Sequence, residues 1–172
     1  MYFAQGFILE VSVKLSTQEE YGLRCLVQIG RRHQETGEGL TITEISQAEA
    51  LSTANVAKVM RTLRMGGIVE SSRGQSGGYN LARPPEDINV GEVVAVLGGS
   101  FFGPNFCDDH AGMEQFCTHT MDCTIRSLWS VVQSMVDQIL GRISLEDLLG
   151  EEETMRSSLL DMTDELLQVS PN

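Results

Sequence analysis

The stretch Val69-Glu70-Ser71-Ser72-Arg73-Gly74-Gln75-Ser76-Gly77-Gly78-Tyr79-Asn80-Leu81 decides the fold. Two segments bearing apolar residues flank a centre with three glycines and one arginine. Glycine supplies the positive φ that a tight hairpin tip needs, and it lets backbone approach a ligand closely. Reading outward towards the N-terminus, Leu40 to Ile68 divides into two helices joined by a tight turn. Thr41 or Thr43 caps the first, which runs through Ile45 and Ala48. Leu51-Ser52 forms the turn, with Ser52 as the N-cap of the second. Val56, Val59, Met60 and Leu63 lie at helical spacing and are the expected buried face of that second helix. Thr53, Asn55, Lys58 and Arg61 then fall on its exposed face, and Gly66-Gly67 ends it. Helix, turn, helix and a basic glycine-rich hairpin is the order of a winged helix-turn-helix. The expected fold class is therefore mainly α, with a small β-hairpin wing.

Further outward, Thr17 and Glu20 have capping-box spacing ahead of an apolar pattern at Tyr21, Leu23, Leu26, Val27 and Ile29. Cys25 lies among those residues and reads as core. Downstream, Pro84-Pro85 closes the hairpin. Asn89 caps a helix containing Val90, Val93, Val94, Val96 and Leu97. Thr124 to Leu140 is strongly amphipathic, with Ile125, Leu128, Trp129, Val132, Met135, Val136 and Ile139 on one stripe. Ile143 to Leu149 is a short apolar element. Met155, Leu159, Met162 and Leu166 recur at helical spacing in an acidic tail, which forms a helix or folds against a partner. No internal repeat is visible.

The chain has 172 residues, 41% of them hydrophobic and 21% charged, the balance of a globular protein. No apolar run reaches the roughly 18–20 residues that a membrane span needs. The first twelve residues lack the charged start and apolar stretch of a signal peptide, so the cytoplasm is the expected location and no membrane partner is expected. The net charge of −12 is unevenly spread. Residues 13–85 carry nine Lys/Arg against seven acids, whereas residues 86–172 carry three arginines against sixteen acids. Phosphate contact is thus confined to the first half.

Cys107, Cys117 and Cys123 lie in a polar surround of Asp108, Asp109, His110, Glu114, His119 and Asp122. Such a stretch is not core, and in the cytoplasm it points to metal or redox chemistry rather than to permanent disulfides. Zinc completed by His119 or His110, and a metal-free thiol switch, are both open on these residues. A ferredoxin-type electron carrier needs four cysteines at set spacings, which these three do not supply. No nucleophile–base pair stands out, and Gly74 to Gly78 lacks the lysine and helix of a phosphate-binding loop, so an enzyme is not expected.

These residues together resemble the Rrf-two family of winged-helix transcriptional regulators, of the IscR and NsrR type. The resemblance rests on Lys14-Leu15-Ser16, on Glu20 to Arg24 and on Arg61 to Val69. It continues through Ser72-Arg73-Gly74, Gly77 to Arg83 and Ile88 to Val93, and ends with the three cysteines and Leu128-Trp129. It covers roughly residues 13–150, and the wing is its most specific part. The resemblance implies a homodimeric repressor of double-stranded DNA operators, with the Thr124–Leu140 helix packed against its twin. It implies an iron–sulfur cluster, [2Fe-2S] or [4Fe-4S], on Cys107, Cys117 and Cys123, whose state sets DNA affinity.

Two departures stand out. Nine residues separate Cys107 from Cys117 and five separate Cys117 from Cys123, a longer first gap than is usual in the family. The histidine that follows the third cysteine in IscR-type members is replaced by Arg126. NsrR-type members take a carboxylate from the first helix of the other subunit, and the matching acid here is Glu20, with His119 as rival. The metal ligands expected are thus Cys107, Cys117, Cys123 and Glu20. The DNA contacts expected are Ser52, Thr53, Asn55, Lys58 and Arg61 on the second helix, with Arg73, Ser76 and Gly77 in the wing.

The division of the chain follows. Residues 1–12 are an N-terminal extension that adds nothing to DNA binding, and Val13 reads as an alternative start. Residues 13–98 are the winged helix-turn-helix and 99–123 a cysteine-containing sensor loop. Residues 124–150 are the dimerisation helix and short element, and 151–172 an acidic tail dispensable for DNA binding. The alternatives are a metal-free thiol or zinc-dependent regulator of the same fold, or a small iron–sulfur redox protein.

Overall fold

A computed structural model describes residues 16–72, 78–98 and 123–168. Helix α1 (Thr17–Thr36) opens on a capping box formed by Ser16 and Glu19, not by Thr17 and Glu20. Both pairs fit the sequence pattern, but Ser16 is the residue with extended backbone (φ −68°, ψ 152°), as an N-cap must be. The Glu19 carboxylate accepts the Ser16 N–H at 2.7 Å and is buried, while Glu20 is exposed. The buried face of α1 is Gly22, Cys25, Leu26, Ile29 and Gly30, displaced from the expected one. Val27 is only half-buried. Gly22 and Gly30 belong to that face because Leu97 and Leu149 lie where their Cβ atoms would be.

Helices α2 (Ile42–Glu49) and α3 (Thr53–Met65) form the helix-turn-helix. Thr41 caps α2 in a box with Glu44, and Ser52 caps α3. Val56, Val59, Met60 and Leu63 are the buried residues of α3, as their spacing predicts. Strands β1 (Val69–Ser72) and β2 (Gly78–Leu81) pair antiparallel from Val69↔Leu81 to Ser72↔Gly78. Leu40 adds an isolated bridge to Tyr79, through bonds of 2.8 and 3.0 Å. A Cβ on Gly78 would stand 2.8 Å from the Leu40 backbone, so only glycine permits this approach.

After a short 3-10 turn (Pro85–Asp87), Asn89 caps α4 (Val90–Leu97). Helices α5 (Thr124–Leu140), α6 (Leu145–Leu149) and α7 (Glu152–Gln168) complete the described chain. One core joins α1, α2, α3, the hairpin, α4 and α6 around Leu26, Ile45, Met60, Leu63, Ile68 and Leu145. A second, smaller cluster joins Val90, Val94 and Ile143, with Met155 and Leu159 of α7 packed on it. The acidic tail is therefore a helix docked on the α4–α6 region. Helix α5 differs from α1, α2, α3, α4 and α6 because none of its residues is buried. Its exposed apolar side chains run from Trp129 at 39% to Leu128 at 58%, with Ile125, Val131 and Met135 between. Among the described residues, no helix is long and apolar enough to cross a membrane.

Candidate nucleic-acid interface

Helix α3 is positioned by its apolar stripe. Burial of Val56, Val59, Met60 and Leu63 turns the opposite side outward, and Ser52, Thr53, Asn55, Lys58 and Arg61 are all exposed. The Ser52 hydroxyl accepts the Asn55 N–H at 3.2 Å, so its first task is to cap the helix. The segment Thr53–Met65 carries three cations and no acid. The side chains of Lys58, Arg61 and Arg64 are exposed and form no ion pair with the described residues, so their charge faces outward.

Two other cations of this half, Arg24 and Arg83, are used differently. Arg24 pairs with Glu49 at 2.6 Å, and Gln28 donates to the same carboxylate at 2.5 Å. That hydrogen bond with Glu49 raises the Arg24 pKa. Arg83 grips both oxygens of Glu92 on α4, at 2.9 and 2.8 Å. Counting charges along the chain treats all these arginines alike. The fold ties Arg24 and Arg83 to acids of α2 and α4, whereas the α3 side-chain cations have no such tie among the described residues.

The hairpin that follows α3 is present, and its last described pair is Ser72↔Gly78. Arg73, Ser76 and Gly77, the expected wing contacts, lie outside the described residues.

Of the expected metal ligands, Cys107 and Cys117 also lie outside the described residues, as does the rival His119. Cys123 is the N-cap of α5 and is half-buried. Its sulfur accepts the Arg126 N–H at 3.3 Å. Glu20 is exposed, and its carboxylate takes no part in the capping box, which Glu19 completes. Among the described residues, no three His, Cys, Asp or Glu side chains gather into a metal site.

Cys25 is wholly buried, and that burial pushes its thiol up to about 11. It lies in the main core, beside neither Cys123 nor an exposed face.

A residue that the sequence reading treated only as a cap proves to do more. The Asn89 side chain accepts the Glu92 N–H at 3.2 Å and donates to the carbonyls of Gly141 and Ile143 at 2.8 and 3.3 Å. No periodicity signals such a link across about fifty residues.

Known proteins agree with this geometry. Protein rrf2 of Nitratidesulfovibrio vulgaris is 32% identical over 139 residues, covering 81% of this chain and 89% of that protein. The HTH-type transcriptional regulator CymR of Bacillus subtilis is 31% identical over 146 residues, covering 82% and 96%. The solved structure of CymR, described as the global cysteine regulator, superposes with a TM-score of 0.63 at 28% identity, covering 80% of this chain and 97% of that one. IscR of T. potens superposes equally well, with a TM-score of 0.63 at 28% identity and coverage of 80% and 87%. CymR of Bacillus subtilis and IscR of Aliivibrio salmonicida are named as HTH-type transcriptional regulators and not as enzymes. The Rrf2 family model, "Iron-dependent Transcriptional regulator", matches residues 15–151, and this chain is a winged-helix member of the Rrf2 family of DNA-binding transcriptional regulators.

Proposed function

We propose that the protein is a homodimeric repressor whose affinity for its operator is set by an iron–sulfur cluster on Cys107, Cys117 and Cys123, with Glu20 of the partner subunit as fourth ligand. The observation that carries the reading is the place of Cys123. It is the N-cap of the helix with the unpartnered apolar face, so a ligand bond there acts directly on the start of the dimer helix. The family's iron dependence supports the metal.

Ser52, Thr53, Asn55, Lys58 and Arg61 enter the major groove, where Asn suits adenine and Lys or Arg suits guanine or phosphate. Arg73, with the backbone at Ser76 and Gly77, contacts phosphate or the minor groove. Residues 13–98 form the DNA-binding unit, 99–123 the sensor loop and 124–150 the dimerisation unit. The protein acts in the cytoplasm. When bound, the cluster supplies a bond network whose integrity depends on redox state and on small reactive molecules. The chain's own part is mechanical. Cys123 ties the start of α5 to the sensor loop, and α5 joins the two DNA-binding halves. Glu20, a harder ligand than sulfur, makes one corner of the site the more labile.

The test is absorbance of anaerobically purified protein with iron and sulfide counts, followed by operator binding before and after cluster removal. Cys107→Ala, Cys117→Ala and Cys123→Ala should each yield folded dimers without cluster and with altered DNA affinity. Glu20→Ala should retain a more labile cluster. Colourless protein that binds DNA in a thiol-dependent way would replace this reading with a second one. That second reading, a metal-free cysteine switch, is favoured by the likeness to CymR, which equals the likeness to IscR.

A further inference from the structure

The two ends of α5 are held differently. Its start is capped by Cys123, whereas its C-terminal end is clamped to the DNA-binding unit. Asn89 reaches Gly141 and Ile143 with its side-chain amide, and Val90 N–H donates to Ile143 O at 2.9 Å. Leu145 N–H donates to Ile88 O at 2.8 Å, making an isolated bridge of Asn89 with Ser144. Gly91 completes the joint. A Cβ there would stand 3.0 Å from Asn89 Oδ1, a tight approach, and 3.4 Å from Gly141 N and Leu140 C, ordinary contact, so a side chain at this position would press on the Asn89 amide where it meets the end of α5. Val90, Val94 and Ile143 seal it with apolar contact.

We infer that the Asn89–Gly91 joint sets the half-site spacing that the dimer accepts on DNA. Asn89 is a positioning residue that acts through the angle between α5 and α3 and touches no nucleic acid. The inference rests on the dimer reading of α5, not on the cluster. If α5 pairs with its twin, this joint is the direct link in each protomer between the paired helices and α4. Within each protomer α4 packs on α3, and the core joins them as one body. A site with altered spacing is then bound only by bending the joint. Both amide bonds of Asn89 are lost when it bends, so they contribute to its stiffness.

The experiment uses the full chain and a palindromic duplex selected from random DNA by the wild-type protein. Affinity is measured for that duplex and for versions with one or two base pairs inserted or removed at its centre. Asn89→Asp keeps an oxygen to cap α4 but replaces the donor to Gly141 and Ile143 with an acceptor. Gly91→Ala leaves every hydrogen-bonding group and crowds the joint by a few tenths of an ångström. Thermal unfolding and dimer dissociation are measured for both variants. The ratio of affinities for native and respaced duplexes should fall by about tenfold in Asn89→Asp, the factor that one to two hydrogen bonds of restoring free energy supply. Gly91→Ala should lower the same ratio, by crowding rather than by a lost bond. A loss of cap or fold alone weakens all duplexes together and leaves the ratio unmoved. Wild-type discrimination that persists unchanged in both folded, dimeric variants overturns the inference alone. Wild-type protein that binds as a monomer, or binds all spacings equally, overturns the dimer reading and the inference together.

Discussion

Leu128→Asp tests whether α5 is the dimer interface. Leu128 is 58% exposed in the single chain and belongs to the apolar face in the first half of α5. Full burial of a leucine is worth roughly 2 kcal/mol, so covering its exposed part contributes about 1.2 kcal/mol per protomer. A two-fold interface uses each position twice, which doubles this to about 2.4 kcal/mol. That alone raises the dimer dissociation constant roughly 50-fold. Two aspartates that must lose water on association add to the loss, so 50-fold is a lower bound. Fold stability should hardly change, since no residue of α5 is buried in the chain. The assay is sedimentation equilibrium over a concentration series, with thermal unfolding alongside and operator binding by fluorescence anisotropy. Ser134→Asp, an exposed polar position on the same helix, is the control and should remain dimeric. A Leu128→Asp protein with wild-type dissociation constant would refute the assignment of this face.

Three further outcomes are expected. Removing a phosphate contact by Lys58→Ala or Arg61→Ala should lower the slope of log affinity against log salt by about 0.9, whereas removing a base contact should cost about 1–3 kcal/mol and relax specificity at one position; affinity titrations at several salt concentrations decide, and no change in either quantity removes the α3 face from the interface. Cys25 has its thiol raised from 9.0 to about 11, so its contribution to stability is complete below pH 9 and is lost as pH rises through about 11. Denaturant unfolding between pH 8 and 11 should show this added decline in the wild type and not in Cys25→Ala, and identical slopes would show that the thiol is not held in the core. Truncation after Gly150 should preserve specific DNA binding yet lower stability by about 2 kcal/mol, because half-buried Met155 and Leu159 leave the second apolar cluster; calorimetry and operator binding measure both, and loss of specific binding by a stable truncated dimer contradicts the expectation.

Local chemistry was legible in the residues themselves. Ser52 and Asn89 announced two helix starts, because a short polar side chain followed by an apolar 3.6-residue pattern has few other uses. The stripe Val56, Val59, Met60, Leu63 fixed which side of α3 faces outward. The glycines of the wing marked a hairpin. Where two local solutions matched one pattern, the residues did not choose: Ser16–Glu19 and Thr17–Glu20 are equivalent capping boxes on paper. The choice depends on which residue leaves the extended backbone first, and α1 is set in register by Leu97 packing on Gly22 and Leu149 packing on Gly30. Charge count placed the basic half, but the split between paired Arg24 and Arg83 and outward Lys58 and Arg61 depends on where α2 and α4 bring their acids. The joint at Asn89, Gly91 and Gly141 was wholly a matter of tertiary structure. It unites residues about fifty positions apart, and sequence periodicity reports only neighbours on one element. What the sequence by itself determined was each element and the face it turns outward. Which carboxylate is free, which cation is spent and where α5 is clamped were decided by long-range packing, because those properties belong to pairs of elements and not to either one.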